Sequence, residues 1–400
     1  MARSVFLALL VALALPVGVA GTPAQAEPAA IDLASLDDIA ILTIGENSRA
    51  DFVEPSLDIA TATALQRETA AARLDRYALQ AEFEVLSSTE ARQALLFEAA
   101  TDVEIRITSL RDQERALRSD YANRELDSEA FVRRLARIHA RVALLRTTLR
   151  TIGASSEEIP QFSIRSRVRL LDAALFGFEG PVRKRALETY RGEAPPPRLF
   201  VQASDRGVVL ATIEEGRYIR EAYRADHRDP DSVSGISLSD AAERTSELYP
   251  RAYNASVSIR TGISGLSGGL FRIDIELREG SIRAFLDGTT GDVFFEVQER
   301  KLDLLGSRAT AVGTANGTRL SVARSYPGGP LEITVTDNET GEPVRAEVLV
   351  GDSTFETGVD GAVWTLAPAS VTFDVRAIRP SGNVTITVRP FAPRTVTTEG

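Results

Sequence analysis

Apolar positions recur in alternating steps of four and three from Leu96 to Ile152, with one polar interruption. Leu96, Ala100, Val103, Ile107, Leu110, Glu114, Leu117 and Tyr121 form a first series, broken only by Glu114. Phe131, Leu135, Ile138, Val142, Leu145, Leu149 and Ile152 form a second. A sustained 3.5-residue period predicts two helices in an antiparallel coiled-coil hairpin. The run 123–128 is the turn, with Asp127 or Ser128 as cap. Residues 57–86, rich in Ala, Leu, Arg and Glu without Pro or Gly, predict a further helix packed alongside. Ser87-Ser88-Thr89-Glu90 fits a capping box before the next helix. Gly153 stands where a helix C-terminus favours a left-handed residue. The arms would be about 35–50 Å long at 1.5 Å per residue.

The remaining pattern is mixed, then purely β. Residues 154–197 predict short helices followed by a Pro-rich linker at 194–197. From residue 198 to 300 the pattern predicts an α+β unit. Its strands are 199–203, 208–213, 218–223, 255–260, 270–277, 281–286 and 293–297, with a helix opened by Ser237 and Asp240 and closed by Pro250. Strict alternation at Phe271, Ile273, Ile275 and Leu277 predicts a sheet with one buried face. Residues 301–330 read as a connector, 331–389 as an all-β sandwich with Trp364 in its core, and 390–400 as a disordered tail. Residues 27–56 carry no clear period and predict an irregular lead-in. The chain is therefore expected to be multi-domain: an all-α coiled-coil hairpin, an α+β unit, and an all-β module.

Three resemblances follow from these residues. The run from Ser237 to Glu243, the strand Gly269-Leu-Phe-Arg-Ile-Asp-Ile-Glu276 and the hairpin Phe285-Leu-Asp-Gly-Thr-Thr-Gly-Asp-Val293 resemble a PepSY domain over about 237–297. That resemblance implies a helix on an antiparallel sheet and an association with exported peptidases. Residues 331–389, with Thr340-Gly341-Glu342-Pro343-Val344 and Asp360-Gly361 turns, resemble carboxypeptidase regulatory-like, Ig-like modules. The layout as a whole resembles a class of haloarchaeal secreted proteins, which implies a compartment and an architecture but no activity.

Composition adds the compartment. Arg3 followed by the apolar run 5–20 and Ala24-Gln25-Ala26 has the form of a secretory signal cleaved near Ala26. The expected location is extracellular or at the cell surface. An uncleaved N-terminal anchor with the protein facing outward is the alternative. The chain has no cysteine and a formal charge of −10, and Lys184 and Lys301 are its only lysines among 46 basic residues. Acidic, lysine-poor composition resembles that of halophilic archaea, where carboxylates hold water under strong screening. Asn254, Asn316, Asn338 and Asn383 each open an N-glycosylation tripeptide, which suits surface loops of an exported chain.

Candidate chemistry is sparse. His139 flanks the second seam without a second His or Cys, so it reads as a satisfied, partly buried side chain rather than a ligand. His227 lies in the run Asp226-His227-Arg228-Asp229-Pro230-Asp231, which lacks the glycine and distal Glu of a calcium loop and reads as a solvated acidic loop. Gly265-Leu266-Ser267-Gly268-Gly269 matches G-x-S-x-G. It precedes a strand rather than a helix, and no histidine follows it to act as base. No catalytic residue, cofactor or metal site is therefore expected.

One asymmetry stands out: residues 128–191 hold 13 basic and 6 acidic residues. Arg133, Arg134, Arg137, Arg141, Arg165, Arg167 and Arg169 form a candidate docking face for a protein, an envelope polymer or an anionic membrane surface. The alternative is pairing with acids of the first two helices. Export and negative charge argue against nucleic acid. The function expected is a non-catalytic envelope protein that binds another macromolecule. The alternative is a PepSY-type regulator of an exported peptidase.

Overall fold

The computed structural model describes residues 40–45, 48–229, 235–263, 269–305 and 309–396. The expected signal segment, with its cleavage site near Ala26, and Ser267 lie outside them. Three long helices come first. Helix α1 (Ile59–Val85) is capped by Asp58, α2 (Thr89–Ala122) by Ser88, and α3 (Ser128–Glu157) by Asp127. Each cap side chain accepts from the backbone N–H three residues on, a contact worth about 1 kcal/mol. The cap is Ser88 rather than Ser87, so the expected reciprocal box with Glu90 does not form. Helix α3 runs four residues past Gly153, with Ser155 and Ser156 buried in its last turn.

Every residue of both seams is buried. Glu114, the one break, is itself buried and holds Arg118 at 2.9 Å one turn on. Arg118 also donates to the carbonyl of Asp205, so the polar break ties the helix to the sheet. Helix α3 is buried on a second side too, through Val132, Ala136 and Ala140. There α4 (Arg165–Ala174) and α5 (Pro181–Tyr190) pack on it.

The centre is one antiparallel sheet in the order β2-β3-β4-β5-β9-β8-β7-β6. Its strands are β2 (Arg49–Val53), β3 (Leu199–Ala203), β4 (Gly207–Glu214), β5 (Arg217–Arg224), β6 (Ser258–Ile263), β7 (Leu270–Leu277), β8 (Gly280–Asp287) and β9 (Val293–Lys301). Leu199, Val201, Val208, Leu210 and Tyr223 join the same hydrophobic cluster as the helical seams. Phe200, Val209, Ala211, Tyr218 and Ala222 point the other way, into a second cluster with α6 (Leu238–Leu248) and α7 (Pro250–Ala255). The central strands are thus covered on both faces. The expected single buried face describes β7, whose Arg272 is exposed, but not β4 or β9. Because the helices bury one sheet face, the Pro-rich stretch at 194–197 does not separate two independent cores, and Pro197 is buried.

The C-terminal module is a sandwich of two four-stranded sheets. One, in the order β10-β11-β12-β15, contains β10 (Ala309–Ala315), β11 (Thr318–Ala323), β12 (Pro330–Asp337) and β15 (Ala362–Leu366). The other, β14-β13-β16-β17, contains β13 (Glu347–Val350), β14 (Ser353–Glu356), β16 (Phe373–Arg379) and β17 (Gly382–Val388). The expected connector 301–330 therefore supplies two strands. Its Asn316-Gly317 step has φ of 52° and 70°, the left-handed pair that a two-residue hairpin turn requires.

Trp364 does not enter the sandwich core. It lies on the outer face of β15, against the sheet's second cluster.

The described parts of the lead-in and of the tail also form strands where irregularity was expected. Within the lead-in, β2 forms a sheet edge, and β1 (Ala40–Ile41) pairs in parallel with β18 (Arg394–Thr395) of the tail. Val396 is buried, and its N–H donates to Ile41. No described helix is long and apolar enough to cross a membrane.

Candidate functional site

A cleft of about 560 Å³ opens where the free-edge end of the sheet meets the sandwich. Alternation along β2 and β3 sends Ala50, Phe52, Phe200 and Gln202 to one face, and these form its floor. The β13–β14 turn, with Gly351 and Asp352, forms one wall, and the β15–β16 loop, with Pro368, Ala369 and Ser370, forms the other. Its size falls in the roughly 300–1,000 Å³ range of ligand sites, and such sites favour junctions between modules.

Arg198 sits at the cleft's inner end. Its guanidinium lies 3.8 Å from the Phe52 ring centre and 5.2 Å from that of Phe355. It donates to Thr365 Oγ1 at 3.0 Å and Ser353 Oγ at 2.8 Å, bridging sheet and sandwich. Burial draws its pKa below the ordinary arginine value, and the nearby charge of Glu54 opposes that. No carboxylate forms an ion pair with it among the described residues. Asp51, also on the lining, accepts from Ser128 Oγ at 2.6 Å, while Asp352 and Ser370 stand exposed on the rim.

Charged side chains are also buried on both faces of the sheet. On the face away from the long helices, Glu296 is fully buried and accepts from Arg220 at 2.9 Å and from the Tyr249 hydroxyl at 2.5 Å. Burial, then the Glu296 charge, pushes the Tyr249 phenol well above its ordinary pKa. Leu42 lies across this pair: its N–H donates to Glu296 at 3.2 Å, and its carbonyl accepts from Arg220 at 2.6 Å. Gln298, Arg224 and Ser204 bind the carbonyls of Ala40, Thr43 and Ile44. The segment 40–44 is thus strapped to the sheet by side chains beneath it.

On the opposite face, Arg183 pairs with Glu221 at 3.1 Å, and the Val182 N–H donates to that carboxylate. Burial raises the Glu221 pKa against the pull of Arg183. A side chain at Gly180 would collide with this carboxylate, which explains the glycine at the start of α5.

The seven candidate arginines do not form one free surface. Arg133 pairs with Asp58 and Glu129, Arg137 and Arg141 share Glu68, Arg165 pairs with Glu157, and Arg167 with Glu104. Burial raises the Glu68 pKa, but hydrogen bonds from Arg141 and Arg137 outweigh it and hold the carboxyl below its ordinary value. Arg134 and Arg169 have no carboxylate partner among the described residues.

His139 is partly buried, and its Nδ1 has no hydrogen-bond partner. Burial, with Arg183 and Lys184 nearby, lowers its pKa to about 4. His227 is buried rather than solvated. Its Nδ1 meets the Val293 carbonyl at 2.8 Å, and its own carbonyl accepts from Thr290, so it pins the β8–β9 turn. The four glycosylation asparagines are exposed, though the Asn316 amide already donates to the Asn383 carbonyl.

Sequence reasoning missed the cleft because its lining comes from five separated segments. The one local signal was β2, where Ala50 and Phe52 alternate with Arg49 and Asp51. Among the described residues, no group of three His, Asp or Glu side chains is placed to hold a metal.

Three family descriptions match successive parts of the chain. A domain of unknown function matches residues 1–195, a family of unknown function matches 199–306, and an archaeal fibronectin-III type-like domain matches 309–386. The C-terminal sandwich is accordingly a fibronectin-III-like domain. No curated protein matches the chain.

Proposed function

We propose that this is a non-catalytic, exported protein of the cell envelope that binds another macromolecule, and that the cleft between β2–β3 and the fibronectin-III-like module is its contact site. The observation that carries the reading is the cleft itself. It combines aromatic and amide groups on its floor with hydroxyl and carboxylate groups on its walls, the mixture that fixes a ligand's orientation. The imidazole of His227 is committed to a main-chain carbonyl and that of His139 is held neutral, which supports binding over acid–base chemistry. Export rests on the N-terminal sequence pattern.

The arginine face is the weaker contact site, because intramolecular ion pairs use five of its seven side chains. The test is co-sedimentation of the purified protein with isolated envelope. Ala369→Trp, on the exposed rim, should abolish retention, whereas reversing Arg165, Arg167 and Arg169 to Glu should leave it nearly unchanged. Treating the envelope separately with protease and glycosidase would identify the class of ligand.

A second reading is a PepSY-type regulator of an exported peptidase. It is favoured by α6, whose Ser237 and Asp240 form a reciprocal capping box, and by the meander β6-β7-β8-β9 beside it. Slowed turnover of a purified exported peptidase on adding the protein would support it, and unchanged turnover would remove it.

A further inference from the structure

Helix α1 carries two seams on opposite sides. Leu65, Leu79 and Phe83 mark the inner one, packed on the core shared with α2 and α3. The outer seam runs Arg67, Ala70, Leu74, Tyr77, Ala81 and Glu84 in steps of three and four, and every one of these residues is exposed. Leu74 and Tyr77 each keep 68% of their surface open. A surface helix needs one apolar stripe, and this second stripe has no partner among the described residues.

The outer seam is self-complementary when reversed. Measured from the midpoint between Asp75 and Arg76, Leu74 mirrors Tyr77, Ala70 mirrors Ala81, and Arg67 mirrors Glu84. A two-fold axis at that midpoint therefore sets Leu against Tyr, Ala against Ala, and Arg67 against Glu84 of the second copy, twice over. A parallel pair would instead oppose Arg67 to Arg67 and Glu84 to Glu84. Within the chain neither has an ion-pair partner among the described residues. The paired alanines let the two helix axes approach closely.

We propose that α1 is a self-association surface, on which a second copy of this chain docks its own α1 antiparallel about the Leu74–Tyr77 centre. This goes beyond the binding reading and uses a surface that shares no residue with the cleft lining. A helix pair whose contact is about 26 Å long buries less than the roughly 1,600 Å² of a standard stable interface. The dimer is accordingly weak and concentration-dependent.

Sedimentation equilibrium of the full exported chain across roughly 1–300 µM tests this. The expected result is a monomer–dimer equilibrium within that range. Arg67→Glu and Glu84→Arg, each on an exposed position, should each weaken it about tenfold, and the double exchange should restore it. The absence of native cysteine permits a second test. Ala70→Cys mixed with Ala81→Cys should form the mixed disulfide dimer on oxidation, while Ala70→Cys alone should not crosslink. A monomer at every concentration, a dimer indifferent to the single reversals, or self-crosslinking by Ala70→Cys would overturn the proposal.

Discussion

Two buried side chains carry testable consequences at the scale of single residues. His139 has a folded pKa of about 4, below its ordinary 6.5, because burial and neighbouring cations disfavour its charged form. Between those values the unfolded chain takes up a proton that the folded chain refuses. Its contribution to stability is therefore complete above pH 6.5 and declines as pH falls toward 4, by roughly 3 kcal/mol in all. Urea unfolding of His139→Leu across that range should show a shallower pH slope than the unmodified protein, and parallel slopes would refute the assignment.

Arg220 is the second case. It neutralises the fully buried Glu296 and holds the Leu42 carbonyl. Arg220→Met leaves that carboxylate unpaired, at a cost of about 3–5 kcal/mol. A loss under about 1 kcal/mol in chemical denaturation would show that the pair does not hold the strap. Neither role was legible in the sequence. Arg220 and Glu296 are 76 positions apart, and only the β5–β9 pairing makes them neighbours.

At the scale of elements, helix periodicity was the most legible feature. All fifteen seam positions are buried, including Glu114, because a repeat sustained over several turns leaves only one face for packing. Gln113 and Arg141 hydrogen-bond across the turn at 2.9 Å, a register that sets Leu110 near the level of Leu145. Leu145→Asp therefore places a charge in an apolar interface, and thermal or urea unfolding should report a loss of several kcal/mol. An unchanged midpoint would contradict the packing described.

Strands were legible where alternation was clean, as at β7, and less so elsewhere. The pair β10–β11 was hidden because small and polar residues dominate it, although Asn316-Gly317 is a strong local hairpin signal. The short strands β1 and β18 were illegible for a different reason. Two-residue strands have no period, and these are defined by side chains of the sheet below and by each other.

At the scale of the whole molecule, the boundaries read from composition were sharper than the physical ones. Pro-rich 194–197 marks a change from helix to strand but not a gap in the core, since α2, α3 and α5 bury one face of the sheet. Helices and sheet should consequently unfold together. Trp364, the only tryptophan, sits against the sheet from the sandwich side and reports on that junction. Its fluorescence and the helical circular dichroism should change at one denaturant concentration, and an earlier, separate helical transition would show that the shared core is not cooperative.

The cleft is also a whole-molecule feature, made only when residues near 50, 200, 352 and 369 converge, which is why no motif announced it. The most direct measurement is retention of the purified protein on isolated envelope, comparing the unmodified chain, Ala369→Trp and the Arg165, Arg167, Arg169 triple reversal. Binding at the cleft predicts retention for the first and third and its loss for the second. Retention that survived Ala369→Trp and vanished with the triple reversal would contradict it and return the contact to the arginine face.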